Sequence, residues 1–406
     1  MSFASRWRDV YVLSAARAVS VTGDLLAVTA LALTIQSRGD SGWGVATLFA
    51  AGTLPLALLA PLGGRLADRV DSRVLLVTVS LLQAAVCTLL AHTEDSSTMV
   101  VLVALLASGV AVTGPTTSAL VPDMVKPGDL SRAMAISQTA SAVGTLAGPA
   151  FGAFLVAGYG SRLPLLVDAA SFLAVAGAAA FLRTRRGGRI TQPDGPAKAS
   201  GWRLRDDRLI VTLLVAPPAV ITVVVAVEVA EIFFVRETLR ASEVMYGIVA
   251  SVWTLGLLVG AWPFGRVRGS DRALVTVLLA AMAALCAILL ASAAVPSAFW
   301  LVPLYLVGGM ANAGINVLGG VVVARRVPPA VRGYVIGRLS GLVNTGMVVG
   351  YAVGGALLQV AVPRLVIAAA GLGGLAVSAV FLAPGLTPAG RQPERMQGTP
   401  VVQNLP

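Results

Sequence analysis

Four acidic residues stand inside long apolar stretches of this 406-residue chain: Asp24, Asp168, Glu228 and Glu231. An ionised carboxylate at the middle of a bilayer costs at least about 2.5–3.5 kcal/mol on insertion scales, so each needs a partner, water or a proton. A carboxyl group that binds a proton facing one side and releases it facing the other can tie transport to a proton gradient. Asp24 falls about 13 residues into its apolar run, near mid-membrane at 1.5 Å per residue. Glu228 lies 204 residues later, at nearly the corresponding place of another run, with Glu231 one turn outward on the same face. These three are the proton-coupling candidates, with Asp24 first. Asp168 stands about five residues from the outer end of its run, where interfacial water or a helix-start hydrogen bond would satisfy it. Arg17 precedes Asp24 by seven residues, about 10 Å along a helix, too far for a direct salt bridge. Asn312, Asn316 and Asn344 could line a cavity with Trp253 and Tyr305 as flat apolar walls; gluing helices together is the other use of such amides.

The elements that position these groups are membrane spans. Only 12% of the residues are charged, against roughly 25% in soluble domains, and the mean hydropathy is +0.85. Runs long enough to cross a bilayer, about 20 residues each, recur near 11–35, 44–63, 74–92, 98–121, 133–157 and 163–182. Six more follow near 209–235, 244–263, 273–294, 299–324, 339–361 and 365–383. The expected organisation is a six-helix bundle over 1–182, a cytoplasmic linker at 183–208, a second bundle over 209–383 and a disordered tail at 384–406. A net charge of +11 would suggest a nucleic-acid partner in a soluble protein. Here Arg38, Arg162, Arg236, Arg240 and Arg364 fall on one set of alternate loops and Arg17 within span 1, while the other 24 of the 30 basic residues fall on the opposite side. That is the positive-inside bias. It places both termini in the cytoplasm and argues against nucleic acid. The N-terminal segment lacks a cleavable-signal pattern, so span 1 is expected in the mature protein.

Other chemistries fall away. Cys87 and Cys286 lie in separate spans without metal-ligand spacing and read as small packing residues. His92, at the outer end of span 3, reads as a solvated interfacial side chain. No metal or cofactor is expected. The run GLGGLA from Gly371 to Ala376 mimics a dinucleotide fingerprint, yet it lies in the last span with no room for a βαβ unit. No phosphate-binding loop is present either, so energy must come from an ion gradient or the substrate's own gradient. Paired catalytic groups are missing, which argues against an enzyme.

The two sets of spans repeat. GTLAGPAFGA at 144–153 is echoed about 202 residues later by GMVVGYAVGG at 346–355, with Tyr351 in the place of Pro149. PLGGRLADRVDSR at 61–73 is echoed by PFGRVRGSDR at 263–272, and Pro127 by Pro329. Parallel repeats of this kind build transporters around a midplane site. Small residues four apart let another backbone approach closely where lipid gives no hydrophobic drive, and Pro149 removes a backbone hydrogen bond and favours a bend.

These segments also carry a family resemblance. Gly64, Asp68, Arg69 and Arg73 match the loop 2-3 motif of the major facilitator superfamily. Gly144, Gly148, Pro149 and Gly152 resemble the fifth-helix motif of its drug/proton antiporters, with Ala153 in place of a final glycine. TGDLLAVTALAL in span 1 and TGPTTSALVPDMV closing span 4 resemble the enterobactin-exporter and macrolide-efflux branch. The fourth span lacks the Arg of many antiporters, which excludes a proton relay through it. The resemblance implies an all-α membrane protein with twelve helices in two pseudo-symmetric bundles, exporting a small amphipathic compound by proton antiport. It also implies a monomer in a bacterial cytoplasmic membrane, whose partners are its substrate, protons and lipid. An importer or facilitator of a polar nutrient, or a non-transporting receptor, is the alternative. Asp68 is expected to latch the halves by facing the N-terminus of span 11, which carries roughly half a positive charge. That span is expected to start near Arg338, with Gly64 allowing the approach.

Overall fold

The computed structural model describes residues 5–39, 42–185 and 207–382. Twelve long helices follow one another: α1 (Trp7–Ser37), α2 (Gly42–Arg69), α3 (Ser72–Leu90), α4 (Ser96–Met124), α5 (Leu130–Tyr159) and α6 (Arg162–Phe181), then α7 (Arg208–Phe233), α8 (Glu243–Gly265), α9 (Asp271–Ala293), α10 (Leu301–Arg326), α11 (Pro329–Leu357) and α12 (Pro363–Leu382). Each matches one of the expected spans, and each is long and apolar enough to cross a membrane. Most of the expected linker and the whole of the expected tail lie outside the described residues.

The helices outrun the apolar stretches that announce them. α11 begins at Pro329, nine residues before the expected start at Arg338. Arg332, Gly333 and Tyr334 lower the hydropathy of that turn without breaking a helix, and proline suits a first turn whose N–H groups have no partner. Side-chain caps fix several other starts by accepting backbone N–H bonds. Asp71 caps α3 through Arg73 N and Val74 N, Asp95 caps α4 through Thr98 N, and Ser242 and Ser270 cap α8 and α9. Prolines sit inside α2, α4, α5, α7 and α8, which neighbouring helices can accommodate in a membrane.

Packing repeats from one half to the other. α1 packs on α5 and α6, α2 on α4, and α3 on α4 and α6; α7 packs on α11 and α12, α8 on α10, and α9 on α10 and α12. The two glycine stripes explain the closest of these pairs. A Cβ on Gly144 would lie 2.6 Å from Ala18 O, one on Gly148 2.6 Å from Leu25 Cβ, and one on Gly152 2.8 Å from Leu26 O, all on α1. In the second half, Gly346, Gly350 and Gly354 press in the same way on Thr222, Val225 and Ala226 of α7. Backbone contact along a face of small residues is what holds helices together where burial of apolar surface does not.

This packing corrects the register expected from the sequence. Gly148 and Gly152 meet Thr22 and Leu26, and Gly350 and Gly354 meet Thr222 and Ala226. The structural equivalence between α1 and α7 is therefore an offset of 200, which sets Glu228 opposite Val28 rather than beside Asp24. Glu228 stands one turn, about 6 Å, farther from the termini.

The halves meet through α5 with α8 and through α2 with α11. At the first seam Gly247 rests on Pro149 O, Ala150 Cα and Ala153 Cβ, and Ala150 N donates to Ser251 Oγ at 3.1 Å. At the second, Gly355 rests on Ala46 and Trp43, Gly42 on Leu358, and the rings of Phe49 and Tyr351 lie 5.5 Å apart. Gln36 Nε2 donates to Glu237 Oε1 at 3.0 Å above them. All of these contacts lie toward the end of the bundle away from the termini, so the halves are closed together at that far end. At the terminal end each half is tied internally instead. Asp9 accepts from Arg183 N, Thr184 N and Thr184 Oγ1, and Arg326 bridges Asp207 at 2.7 Å and Asp271 at 3.2 Å.

Candidate transport cavity

A cavity of about 240 Å³ opens between the halves, beneath the far-end contacts. α7 supplies its two acids, Glu228 and Glu231, which the helical spacing of three sets on one face. α8 contributes Tyr246 and Trp253, α10 Tyr305, α2 Phe49 and α1 Leu25. Trp253 and Tyr305 meet edge to face with ring centroids 5.6 Å apart. Gly308 makes this possible, since a Cβ there would lie 2.8 Å from Trp253 Cζ3.

The two acids are satisfied unequally. Glu228 is exposed to the cavity, and its Oε2 accepts a hydrogen bond from Tyr351 Oη at 3.0 Å. Glu231 Oε1 and Tyr305 Oη are both buried and lie against each other, the phenol in reach of the carboxyl but without a well-formed hydrogen bond. Tyr305 is only 3% exposed. Buried polar atoms without partners are rare, because leaving one unpaired costs about 1–3 kcal/mol or more for a charged group. An apolar chamber with aromatic walls, two carboxyl groups and a loosely held phenol suits a ligand that is positively charged and apolar in its body.

Asp24 is elsewhere. It lines a second, smaller cavity of about 110 Å³ inside the first half, together with Arg17, Ser80 and Gln83. Its neighbour is Asp168, which presses on Gly23 and lies within electrostatic reach of the Asp24 carboxyl. Asp168 is 1% exposed, and its partners are side chains rather than interfacial water or a helix start. Ser171 Oγ donates to Oδ1 at 3.0 Å and Cys87 Sγ to Oδ2 at 3.4 Å. Cys87 is thus a donor as well as a packing residue. Arg17 forms no ion pair with either acid and donates through Nε to Ser141 Oγ on α5, at 2.7 Å.

The remaining sequence candidates divide. Trp253 and Tyr305 line the central cavity. Asn312, Asn316 and Asn344 are not among its lining residues. Asn312 is two turns past Tyr305 on the same face, about 10 Å nearer the terminal end, and Asn316 Nδ2 donates to Asn312 O and Oδ1 within α10. In the loop 2-3 motif a Cβ on Gly64 would meet open space, whereas one on Gly63 would collide with Ala111 O of α4. The close approach therefore belongs to Gly63 and lies within the first half. Arg69 is exposed, and Arg73 Nη2 donates to Leu182 O at the end of α6. The side chain of Asp68 lies outside the described residues. Sequence reasoning missed Phe49, Tyr246 and the role of Tyr351. Tyr351 departs from Pro149 in the repeat, and that departure was the available signal.

A bundle of twelve membrane-length helices in two equivalent halves, with an apolar cavity holding two carboxyl groups at their junction, defines a membrane carrier. The sequence matches the Major Facilitator Superfamily over residues 13–234 and again over 225–404. The chain belongs to that family and is a multi-pass membrane transporter of a small molecule. No curated protein sequence matches it. Among solved structures, the crystal structure of nucleoside transporter NupG is similar with a TM-score of 0.73 and 14% identity, covering 92% of this chain and 98% of that one. A bacterial homolog of the human lysosomal transporter Spinster, in an inward-facing and occupied conformation, gives 0.69 and 16%, covering 94% and 97%. A POT family transporter in complex with a thioalcohol-conjugated peptide gives 0.69 and 12%, covering 92% and 95%.

Proposed function

We propose that this transporter exports an amphipathic organic cation in exchange for protons, with both competing for Glu228 and Glu231. The observation that carries the proposal is the central cavity: two carboxyl groups with no basic side chain among the lining residues, between aromatic walls. A cation over such rings gains about 0.5–2 kcal/mol, and desolvated carboxylates favour a positive partner over none. Since proton and substrate share the carboxyl groups, binding of one expels the other. The basic-residue bias favours termini in the cytoplasm. Closure at the far end then leaves the cavity to load from that side.

Glu228 and Glu231 replace Asp24 as the leading coupling groups, because they line the cavity between the moving halves and Asp24 does not. The Gly144, Gly148 and Gly152 stripe with Pro149 serves as the tight, bending packing face of α5. Asp68 and its motif act as the terminal-side latch in the opposite conformation, when α2 reaches the start of α11 at Pro329.

The test uses inside-out vesicles or proteoliposomes and tetraphenylphosphonium as probe. An imposed proton gradient should drive uphill movement of the probe, with proton counterflow seen by a pH-sensitive dye. Glu228→Gln and Glu231→Gln should each abolish the gradient-driven component, and the double variant should weaken probe binding by about tenfold or more. Wild-type uphill transport by either single variant refutes the shared-carboxyl exchange.

A further inference from the structure

We propose that the first six-helix bundle holds a sodium ion in the cavity around Asp24, at a site separate from the central cavity and independent of the organic-cation proposal. Three observations meet there. The cavity of about 110 Å³ has room for an ion and several waters but not for an organic substrate. Its lining is rich in oxygen: Asp24, Ser80, Gln83, Thr113 and Thr117 all contribute. Carboxylate, hydroxyl, amide carbonyl and water are the ligands of hard cations.

The second observation is an unpaired group. Ser80 Oγ is buried without a hydrogen-bond partner, in a residue 1% exposed that lines the cavity. Gln83 is 3% exposed. It spends its amide N–H on Leu106 O at 3.2 Å, leaving Oε1 as the end available to a ligand. Asp24 itself makes no hydrogen bond or ion pair with a described residue. An enclosed carboxylate, a hydroxyl and an amide oxygen around one space, none of them paired with another, is the arrangement a bound cation would complete.

The third is charge. The ionisable groups around the cavity are Asp24, Asp168 behind Gly23, the Cys87 thiol that donates to Asp168, and Arg17. Arg17 lines the cavity yet forms no ion pair with Asp24, because Ser141 on α5 holds its Nε. One guanidinium against two buried carboxyl groups leaves at most one negative charge to balance, which suits a monovalent ion and disfavours a divalent one. A proton alone would neutralise it too, but would use neither the room nor the hydroxyl and amide oxygens of α3 and α4.

Purified full-length protein in nanodiscs tests this at fixed pH and ionic strength. Saturable binding of radioactive sodium is expected, together with thermal stabilisation by sodium over potassium or N-methylglucamine. Asp24→Asn should weaken sodium binding by tenfold or more, and Ser80→Ala, which removes one hydroxyl, by a smaller measurable factor. Both should still bind tetraphenylphosphonium, which reports an intact central cavity. Conversely, Glu228→Gln with Glu231→Gln should leave sodium binding unchanged, so failure of the central-cavity proposal and of this one are told apart. If Asp24→Asn does not fold, Ser80→Ala carries the test. Absence of saturable sodium binding overturns the proposal. So does a stabilisation that follows pH at constant sodium and disappears in Asp24→Asn, which would assign the cavity to a proton.

Discussion

Replacing Gly148 by alanine adds one methyl group where α5 and α1 already touch. The new Cβ would lie 2.6 Å from Leu25 Cβ and 3.1 Å from Thr22 O. Carbon atoms rest at about 3.5–4.0 Å, so the two helices must separate by roughly 1 Å along a face that also seats Gly144 and Gly152. Overpacking of this kind costs about 1–3 kcal/mol. A leucine at the same place cannot be seated without parting the helices. Gly158 on the same helix is the control, because a Cβ there meets nothing within 4 Å and alanine is favoured over glycine by about 1 kcal/mol in a helix. Gly148→Ala should therefore lower the Tm of the purified protein while Gly158→Ala leaves it level or raises it. Gly148→Leu should abolish transport while the protein still reaches the membrane. Scanning fluorimetry and vesicle uptake of tetraphenylphosphonium read the two effects. A Gly148→Ala protein as stable as wild type, or a Gly148→Leu protein that transports normally, would refute the packing account.

Arg326 ties the starts of α7 and α9 to the end of α10 through Asp207 and Asp271. Arg326→Ala leaves Asp207 without its ion pair and Asp271 with Arg325 alone, at 3.6 Å; a loss of about 1–3 kcal/mol is expected, below the full buried-pair figure because solvent and Arg325 reach the cluster. Arg326→Lys should restore only part of it, since lysine lacks the planar fork, and thermal unfolding of the three proteins checks this. Asp95 should govern the acid response of the start of α4. Hydrogen bonds from the Thr98 side chain, the Ser97 side chain and Thr98 N hold its carboxyl down at about 2. A lowered native value means that its contribution is present above the ordinary carboxylate range and is lost as pH falls through about 2. The Tm difference between wild type and Asp95→Ala should be flat above about pH 5, where an unfolded aspartate is ionised, and shrink toward pH 2. A difference unchanged at pH 2 contradicts the cap.

Apolar run length and basic-residue alternation made the spans legible, because both are summed over many residues and tolerate local exceptions. Helix ends were less so: Arg332 and Tyr334 end a hydropathy window but belong to α11. The acids show the limit of counting along a sequence. Asp24 and Glu228 look equivalent at an offset of 204, yet a four-residue slip is a full helical turn, and only the contacts of Gly148 and Gly350 fix the true register. A span also says nothing about which face looks at which neighbour. Leu25 faces the central cavity while the next residue back, Asp24, faces the interior of its own half. Trp253 and Tyr305 were found by type, being large and amphipathic, whereas Phe49 is one apolar residue among many until Tyr351 is seen against it.

The two seams between the halves are unlike in mechanical kind. Along α5 and α8, glycine, alanine and proline backbone touch with little side chain between them, a surface that can roll like a bearing without changing a rotamer. Along α2 and α11, Phe49 and Tyr351 must come apart, and the same phenol holds Glu228. Tyr351 and Glu228 stand on α11 and α7 of the same half, so their hydrogen bond travels with that half when the seam parts. What crosses this seam is the ring contact of Phe49 on Tyr351, so one half can swing away from the other while Glu228 keeps its phenol partner and the cavity keeps its shape on that side.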